Sequence, residues 1–241
     1  MSVLTLQLAG PLQAWGASAR FARRTTENAP TKSGVLGLLA AAVGLARDAD
    51  RELAELATLH FGVRIDQPGN RVRDFQTARD LDTGKPMPLS ERFYLSDAVF
   101  VAAVAGGETV VSNLYEALRR PTYLPYLGRR SCPPARPVEL AVHPGNDLVG
   151  VLRAEPWRAA DWYQRRRERE ADVELTVLTE EPASGSTPNA TLRDQPISFD
   201  PRHRRYGLRS VHTSTVTVPN PRARTRQTVP AHDPTSLLDL A

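Results

Sequence analysis

The chain carries VLTLQLAGP at residues 3–11 and TKSGVLGLLAAAVGL at residues 31–45, two apolar stretches that determine its predicted fold. The first alternates partly between apolar and polar residues and ends at a Gly-Pro turn, which predicts a strand. In the second, Thr31 and Ser33 offer N-caps to a helix that is apolar on nearly every side. We therefore expect this helix to be buried.

The patterns in the rest of the chain, together with these two stretches, predict an α+β fold. They predict, in chain order, a helix at 48–60, a strand at 61–65, hairpin strands at 71–77 and 88–94, a strand at 93–104, a helix at 109–119, a strand at 138–142, a helix at 162–170, and strands at 173–178 and 210–218. This order is typical of a ferredoxin-like, or RNA-recognition-motif, core with a projecting hairpin.

The chain divides into three predicted parts. Residues 1–145 form an RNA-recognition-like domain that includes the hairpin at about 68–92, and residues 146–218 form a smaller C-terminal β-rich part. Residues 219–241 form a basic, proline-rich tail that we expect to be flexible.

Composition excludes several classes of protein. Of 241 residues, 41% are hydrophobic and one is a cysteine, so no internal disulfide can form. No Cys/His spacing suits a zinc ion, and neither a metal site nor a cofactor site is predicted. No apolar run is long enough to span a bilayer, and no basic residue precedes Arg20, so we expect no secretion signal at the N-terminus. We expect a cytoplasmic protein without membrane contact.

Arginine dominates the basic residues, with 29 arginines against two lysines. The codon usage of a GC-rich genome explains that global ratio most simply. The local pattern is more specific, because residues 201–232 hold seven arginines and no carboxylate. Arginine grips phosphate with two donors, so this segment either tracks nucleic acid, such as target DNA, or is a flexible appendage.

The start of the apolar helix is one candidate binding site. Lys32-Ser33 resembles the end of a phosphate-binding loop, but the nearest upstream glycine is Gly16, which excludes NTP hydrolysis by that motif. Free N–H groups at a helix start still favour an anion, and Lys32 can join them. The alternative is an ordinary helix cap.

Two further stretches combine aromatic, amide and arginine side chains. Residues 123–130 join Tyr123 and Tyr126 to a pair of arginines, as grooves for single-stranded nucleic acid do. The turn at residues 10–16 carries Gln13 and Trp15, which could read a base and stack on it. In the alternative interpretation the tyrosines cover the edge of the core and Trp15 belongs to the core. The five histidines are scattered and indicate no catalytic or metal motif.

The same stretches carry a family resemblance. Residues 6–16, 30–39 and 123–133, with Asp74-Phe75-Gln76-Thr77 and Tyr94-Leu95-Ser96-Asp97, resemble the CasD family of type I-E CRISPR Cascade subunits. The resemblance covers roughly residues 2–140. It implies an RNA-recognition-like core whose hairpin projects as a thumb.

The resemblance also implies a function. Subunits of this family hold the 5′ handle of CRISPR RNA without cutting it, and they bridge the large subunit and the terminal backbone subunit. The implied partners are CRISPR RNA, the backbone, large and small subunits, the repeat-cleaving endonuclease and, through the complex, target DNA. Some type I-C relatives are instead metal-independent endoribonucleases that use a tyrosine and a Lys-His pair. Here Lys32 precedes serine and Lys85 precedes proline, so a non-catalytic role is expected.

From the residues and the resemblance together, we expect the turn at 10–16 and the strip at 123–130 to form one cradle for RNA. Phosphates would lie against one group of residues and bases against another. The expected contacts are Lys32, Ser33, Gly34, Gly37, Arg129 and Arg130 for phosphates, Gln13, Trp15, Tyr123 and Tyr126 for bases, and Arg73 on the thumb.

Overall fold

The computed structural model describes residues 1–17, 23–180 and 189–224 and contains a seven-stranded antiparallel sheet. In chain order the elements are β1 (Ser2–Ala9), β2 (Leu12–Gln13), β3 (Arg23–Arg24), α1 (Lys32–Val43), α2 (Asp50–Ala57), β4 (His60–Gln67), β5 (Asn70–Gln76), β6 (Ser90–Ser96), β7 (Val99–Gly106), α3 (Glu108–Arg119), β8 (Glu139–Pro144), α4 (Leu148–Ala154), α5 (Asp161–Arg166), β9 (Asp172–Thr179), β10 (Ala190–Ser198) and β11 (Arg205–Pro219). The strand order of the large sheet is β10-β11-β9-β4-β7-β1-β8.

The centre of this sheet is an RNA-recognition-like core. Strands β4, β7, β1 and β8 lie side by side, and α1 and α3 follow β1 and β7 in the chain, which is the connectivity of a ferredoxin-like fold. Both helices pack on one face of the sheet, where alternate residues of β7, such as Phe100 and Val104, are fully buried. The predicted α+β fold class is confirmed.

The opposite face of the sheet is also covered. The other residues of β7, including Val101 and Ala103, pack against Leu148, Leu152 and Trp157 from the segment around α4, which the sequence patterns do not predict. RNA-recognition motifs stack bases on this face. Because α4 and its flanking residues bury it, the chain cannot bind RNA there.

A buried arginine fixes α4 to the sheet. Arg64 of β4 is fully buried and forms a bidentate ion pair with Asp66, with N–O distances of 2.7 and 2.9 Å. The same guanidinium donates to the carbonyls of Leu152 and Glu155 at the end of α4. These carbonyls have no partner within the helix, so Arg64 acts as its C-terminal cap.

The C-terminal strands extend the same sheet. Strand β9 pairs with β4, and the 15-residue β11 pairs with β9 and β10. Strand β10, which the sequence patterns do not predict, packs against α1 and α2. The described strands of the predicted C-terminal extension therefore continue the seven-stranded sheet.

A second sheet carries the projecting hairpin. Strand β5 pairs along one side of β6, and the short strands β2 and β3 pair with β6 on its other side. The single strand predicted at 93–104 is wrong, because the chain turns at Asp97, whose φ is +54°. This turn separates β6 in the hairpin sheet from β7 in the central sheet.

The start of the predicted tail lies on α5. The side-chain amide of Asn220 donates to the carbonyls of Gln164 and Arg167, and the backbone N–H of Arg224 donates to the Glu168 carbonyl. The rest of the predicted tail, residues 225–241, lies outside the described residues. None of the described helices has the length and apolar character needed to cross a membrane.

Candidate nucleic-acid interface at the hairpin base

The turn at residues 10–16 and the loop at residues 123–133 lie side by side, as the sequence predicts. The Ala14 N–H donates to the Leu127 carbonyl at 3.0 Å. Gly128 adopts a φ of +85°, and a Cβ atom at this position would lie 1.7 Å from the Ala14 oxygen. Only glycine allows this approach of the two backbones.

The side chains of Gln13 and Trp15 point into the core and not into this junction. Trp15 is 1% exposed, and its ring packs against Gly34 of α1. The Gln13 amide accepts from the Trp15 indole N–H and donates to the carbonyls of Leu8 and Ala98. The structure therefore leaves Gln13 and Trp15 no free polar group for a base, because all their side-chain polar groups are satisfied within the protein.

The N-terminus of α1 is occupied by a carboxylate of the chain itself. Asp194 of β10 is fully buried and accepts from the Lys32 N–H at 2.8 Å. It also forms a bidentate pair with Arg209, at 2.8 and 2.7 Å. The Lys32 ammonium lies 2.8 Å from Glu180, and its side chain is only 4% exposed. The anion favoured at this helix start is thus internal, and both the N–H and the ammonium of Lys32 already have carboxylate partners.

The other predicted residues of α1 differ in how far they are buried. Ser33 is buried, and the Gly34 N–H donates to the Thr31 hydroxyl, which is the helix N-cap. Gly37 faces the Phe199 ring, which would lie 3.7 Å from a Cβ at that position. Ser33 therefore has little surface to offer a phosphate, whereas Gly34 and Gly37 are partly exposed and their phosphate contacts stay a prediction.

Arginines from three separate segments meet beside the hairpin base. Arg24 of β3 lies opposite Arg92 of β6 in the parallel register, so both side chains share one face of the hairpin sheet. Tyr94 lies two residues further along that face. The Arg129 guanidinium lies over the Tyr94 ring, 4.7 Å from its centroid, and donates to the Arg24 carbonyl at 2.8 Å. We call Arg24, Arg92 and Arg129 the arginine cluster.

Two donors of the arginine cluster lack a hydrogen-bond partner. The Arg92 Nε and the Arg129 Nη1 are both buried, and neither finds an acceptor within residues 1–17, 23–180 and 189–224. Asp74 lies opposite Arg92 in the strand register but forms no ion pair with it among these residues. A buried unsatisfied donor is costly, and an arginine donor is best satisfied by an anion. The cluster therefore has unused capacity for an anionic group.

Two arginines on the opposite face of the hairpin sheet share one carboxylate. Arg23 lies over the Phe93 ring and Arg73 over the Phe75 ring. Both guanidinium groups lie 3.7 Å from the Glu91 carboxylate, which lies between them. Arg73 is thus exposed on the thumb as predicted, with its charge partly balanced by Glu91.

The tyrosine–arginine strip borders the arginine cluster. Tyr123 is 60% exposed, and its N–H donates to the Ala41 carbonyl near the end of α1. Tyr126 is half-buried, Arg129 belongs to the cluster and Arg130 is exposed. These four predicted residues remain accessible at this surface, whereas Gln13, Trp15, Lys32 and Ser33 are buried.

The structure adds Arg24 and Arg92 to the candidate site, and the sequence patterns single out neither. In sequence they are separated by α1, α2, β4 and most of the hairpin, and only the pairing of β3 with β6 brings them together. An arginine in the hairpin strand is visible in the sequence, but its neighbour depends on strand register.

The arginine-rich segment at 201–232 is divided by β11. Apart from Arg204, its described arginines pair with carboxylates outside the segment, as Arg209 does with Asp194 and Arg222 with Asp161. Strand β11 separates its first arginines from Arg222 by roughly 50 Å, at about 3.3 Å per residue. The segment is therefore not one continuous basic track; residues 225–232 lie outside the described residues.

Two observations concern the titratable side chains in the described part of the chain. His, Cys, Asp and Glu side chains there form no cluster suited to a metal ion. Burial raises the pKa of the Cys132 thiol, which disfavours the reactive thiolate.

Comparison with known proteins places this fold and this hairpin in a family. The family model described as CRISPR-associated protein (Cas_Cas5) matches residues 3–212. The chain belongs to this family. It is 34% identical over 221 residues to the CRISPR system Cascade subunit CasD of Escherichia coli (strain K12), a match that covers 83% of this chain and 91% of that protein. The resemblance to the CasD family is thereby confirmed.

Two solved structures are also similar to this chain over most of its length. A chain of a CRISPR RNA-guided surveillance complex is 32% identical and superposes with a TM-score of 0.75, covering 94% of this chain and 95% of that one. A crystal structure of a Cas protein is 31% identical with a TM-score of 0.65, covering 92% and 97%. The match extends through the C-terminal strands and so includes the part of the chain in which the sequence resemblance fades.

Proposed function

We propose that this chain is a non-catalytic subunit of a cytoplasmic type I-E Cascade complex and that its arginine cluster holds the 5′ handle of CRISPR RNA. The observation that carries the proposal is the pair of buried, unsatisfied donors on Arg92 and Arg129. An RNA phosphate would accept from both donors. Single-stranded RNA also exposes bases, for which Tyr123 and Tyr126 offer stacking surfaces beside the cluster.

The hairpin suits a bridging role. Its distal end exposes apolar side chains, with Leu81 fully exposed and Met87 and Leu89 about half exposed. Exposed apolar side chains on a projecting element favour contact with another protein. We assign this end to the terminal backbone subunit. The large and small subunits, the repeat-cleaving endonuclease and target DNA are then partners within the same complex.

Lys32, Tyr123, Tyr126 and His143 are the groups that an endoribonuclease could use here, and the separation of Lys32, Tyr123 and His143 supports a non-catalytic role. Lys32 is the first residue of α1, whereas the Tyr123 N–H donates to the Ala41 carbonyl near the other end of this helix. Along the helix axis, Lys32 and Ala41 are about 14 Å apart. His143 pairs with Glu155 on the α4 side of the sheet. An endoribonuclease of the type I-C kind needs such groups together at one phosphodiester. Incubating the purified chain with labelled repeat RNA tests this, and cleavage at one position would contradict the proposal.

Binding of handle RNA to an Arg92→Gln/Arg129→Gln variant tests the cluster. Hydrogen bonds to charged groups contribute about 1.5–3 kcal/mol each, so we expect the Kd to rise at least tenfold. The slope of log K against log salt should also fall by about 0.7 for each RNA phosphate that the variant no longer neutralises. Arg129→Ala with Arg130→Ala should weaken binding in the same direction.

The matched control is Arg202→Gln, which removes one exposed arginine from the loop between β10 and β11. It should leave the salt slope unchanged. An Arg92→Gln/Arg129→Gln variant that folds normally and binds the handle as tightly as the unmodified chain, with the same slope, would remove the cluster from the proposal.

A further inference from the structure

Trp162 of α5 is exposed, unlike the two other tryptophans. Its exposed fraction is 55%, whereas Trp15 and Trp157 are 1% and 3% exposed. An exposed tryptophan is costly to hydrate and is among the residues most enriched at the centres of protein interfaces. The proposed RNA contacts do not use Trp162.

Aromatic contacts hold the Trp162 ring in place. It packs edge to face with Tyr163, with centroids 5.5 Å apart and an interplanar angle of 88°. Tyr163 packs in turn against Trp157 at 6.0 Å, and the Trp157 indole N–H donates to the Asp66 carbonyl. The exposed ring is therefore connected to the buried core by two aromatic contacts. A rigid side chain loses little entropy on binding.

Hydrogen bonds also fix the helix itself. The Gln164 amide donates to the carbonyls of Trp157 and Ala159, at 2.8 and 3.0 Å. From the other side, the Asn220 amide donates to the Gln164 carbonyl. Both side chains are buried, so α5 is held as a fixed platform for Trp162.

The surroundings of Trp162 carry an excess of arginine. Arg165 and Arg222 both bind the Asp161 carboxylate, each at 2.6 Å. Arg166 and Arg169 are exposed and have no acidic partner in the described part of the chain. Arg165 and Arg166 lie three and four residues after Trp162, on the same face of the helix.

We propose that Trp162 anchors an interface with another protein subunit of the complex, which offers an apolar pocket for the indole and carboxylates for Arg166 and Arg169. Charge complementarity selects an acidic rim. The carboxylate of Asp161 beside the ring already engages the guanidinium groups of Arg165 and Arg222, which disfavours a nucleic-acid backbone at this surface. The proposal rests on the proposed function, because it assumes that the chain works in a multi-subunit complex.

Reconstitution of the complex tests this interface. This chain, its cognate protein subunits and CRISPR RNA are assembled, and native mass spectrometry during serial dilution gives the occupancy of each subunit. Trp162→Ala should raise the dissociation midpoint of one protein subunit by at least tenfold, and Arg166→Gln/Arg169→Gln should raise it in a salt-dependent way. Leu208→Ala, at a 66% exposed leucine of β11, is the control and should change nothing.

Tryptophan fluorescence provides a second readout. Because Trp15 and Trp157 are buried, acrylamide quenching of the free chain reports mainly on Trp162, and assembly should protect it. Unchanged subunit occupancy in the Trp162→Ala complex would overturn the proposal. A loss of RNA or DNA affinity at full subunit occupancy would overturn it too, in favour of a nucleic-acid platform. Handle binding by the isolated Trp162→Ala chain should stay normal, which separates this result from failure of the arginine cluster.

Discussion

Removing the Asp194 carboxylate should destabilise the whole chain. In Asp194→Ala, the buried Arg209 guanidinium loses its bidentate partner and the Lys32 N–H at the start of α1 loses its acceptor. Arg209 then keeps only Glu180, whose carboxylate lies 3.7 Å from its Nε and is already paired with the Lys32 ammonium. One buried positive charge is left without compensation.

The expected loss is about 3–5 kcal/mol, the range measured when one partner of a buried ion pair is removed. In a chain of this size each kcal/mol lowers the Tm by about 2–4 °C, so the Tm should fall by about 6–20 °C. Thermal unfolding followed by circular dichroism measures this change. Urea unfolding should show a lower midpoint with an unchanged m-value.

Two controls make the result specific. Asp200→Asn removes a carboxylate that pairs with the largely exposed Arg202, and it should leave the Tm unchanged. In Asp194→Ala, sodium formate should raise the Tm more than sodium chloride at equal ionic strength, because formate can occupy the vacated carboxylate site. A fall in Tm no larger than that of Asp200→Asn would refute the role of Asp194 as the internal anion of α1.

Two other positions give further predictions. Gly128→Ala should lower the free energy of unfolding by several kcal/mol more than Gly84→Ala in urea titrations; both glycines have a positive φ, but a Cβ would meet the Ala14 oxygen at Gly128 and nothing within 4 Å at Gly84. Equal losses would contradict the tight junction. On the hairpin, Leu81→Ser/Met87→Ser should weaken association with the terminal backbone subunit in the reconstituted complex while the Tm of the free chain stays unchanged. Unaltered association would contradict the bridging assignment.

Local patterns in the sequence predict much of the fold but not the direction of single side chains. The apolar helix α1, its Thr31 cap and the hairpin follow from periodicity and turn residues. For Trp15 the sequence allows both a stacking role and a place in the core, and the choice depends on Gly34, which leaves room for the ring. The two residues lie in different segments, so neither segment alone gives the answer.

Charged residues are the least predictable from the sequence, because their partners are distant in the chain. Lys32 is the first residue of a helix and resembles an anion-binding residue, but its partners Glu180 and Asp194 lie about 150 residues further on. Arg64 alternates with apolar residues in β4, and only α4 explains its complete burial. A charge pattern read along the sequence omits such long-range pairs.

The continuity of the large sheet has a consequence for biosynthesis. While the ribosome is still adding residues after 145, β4 lacks its neighbour β9, and the ammonium of Lys32 has no counter-charge. The nascent N-terminal part thus exposes an unpaired strand edge, a feature that promotes aggregation. Its final packing requires β9, β10 and β11, so this edge stays open until the last strands emerge.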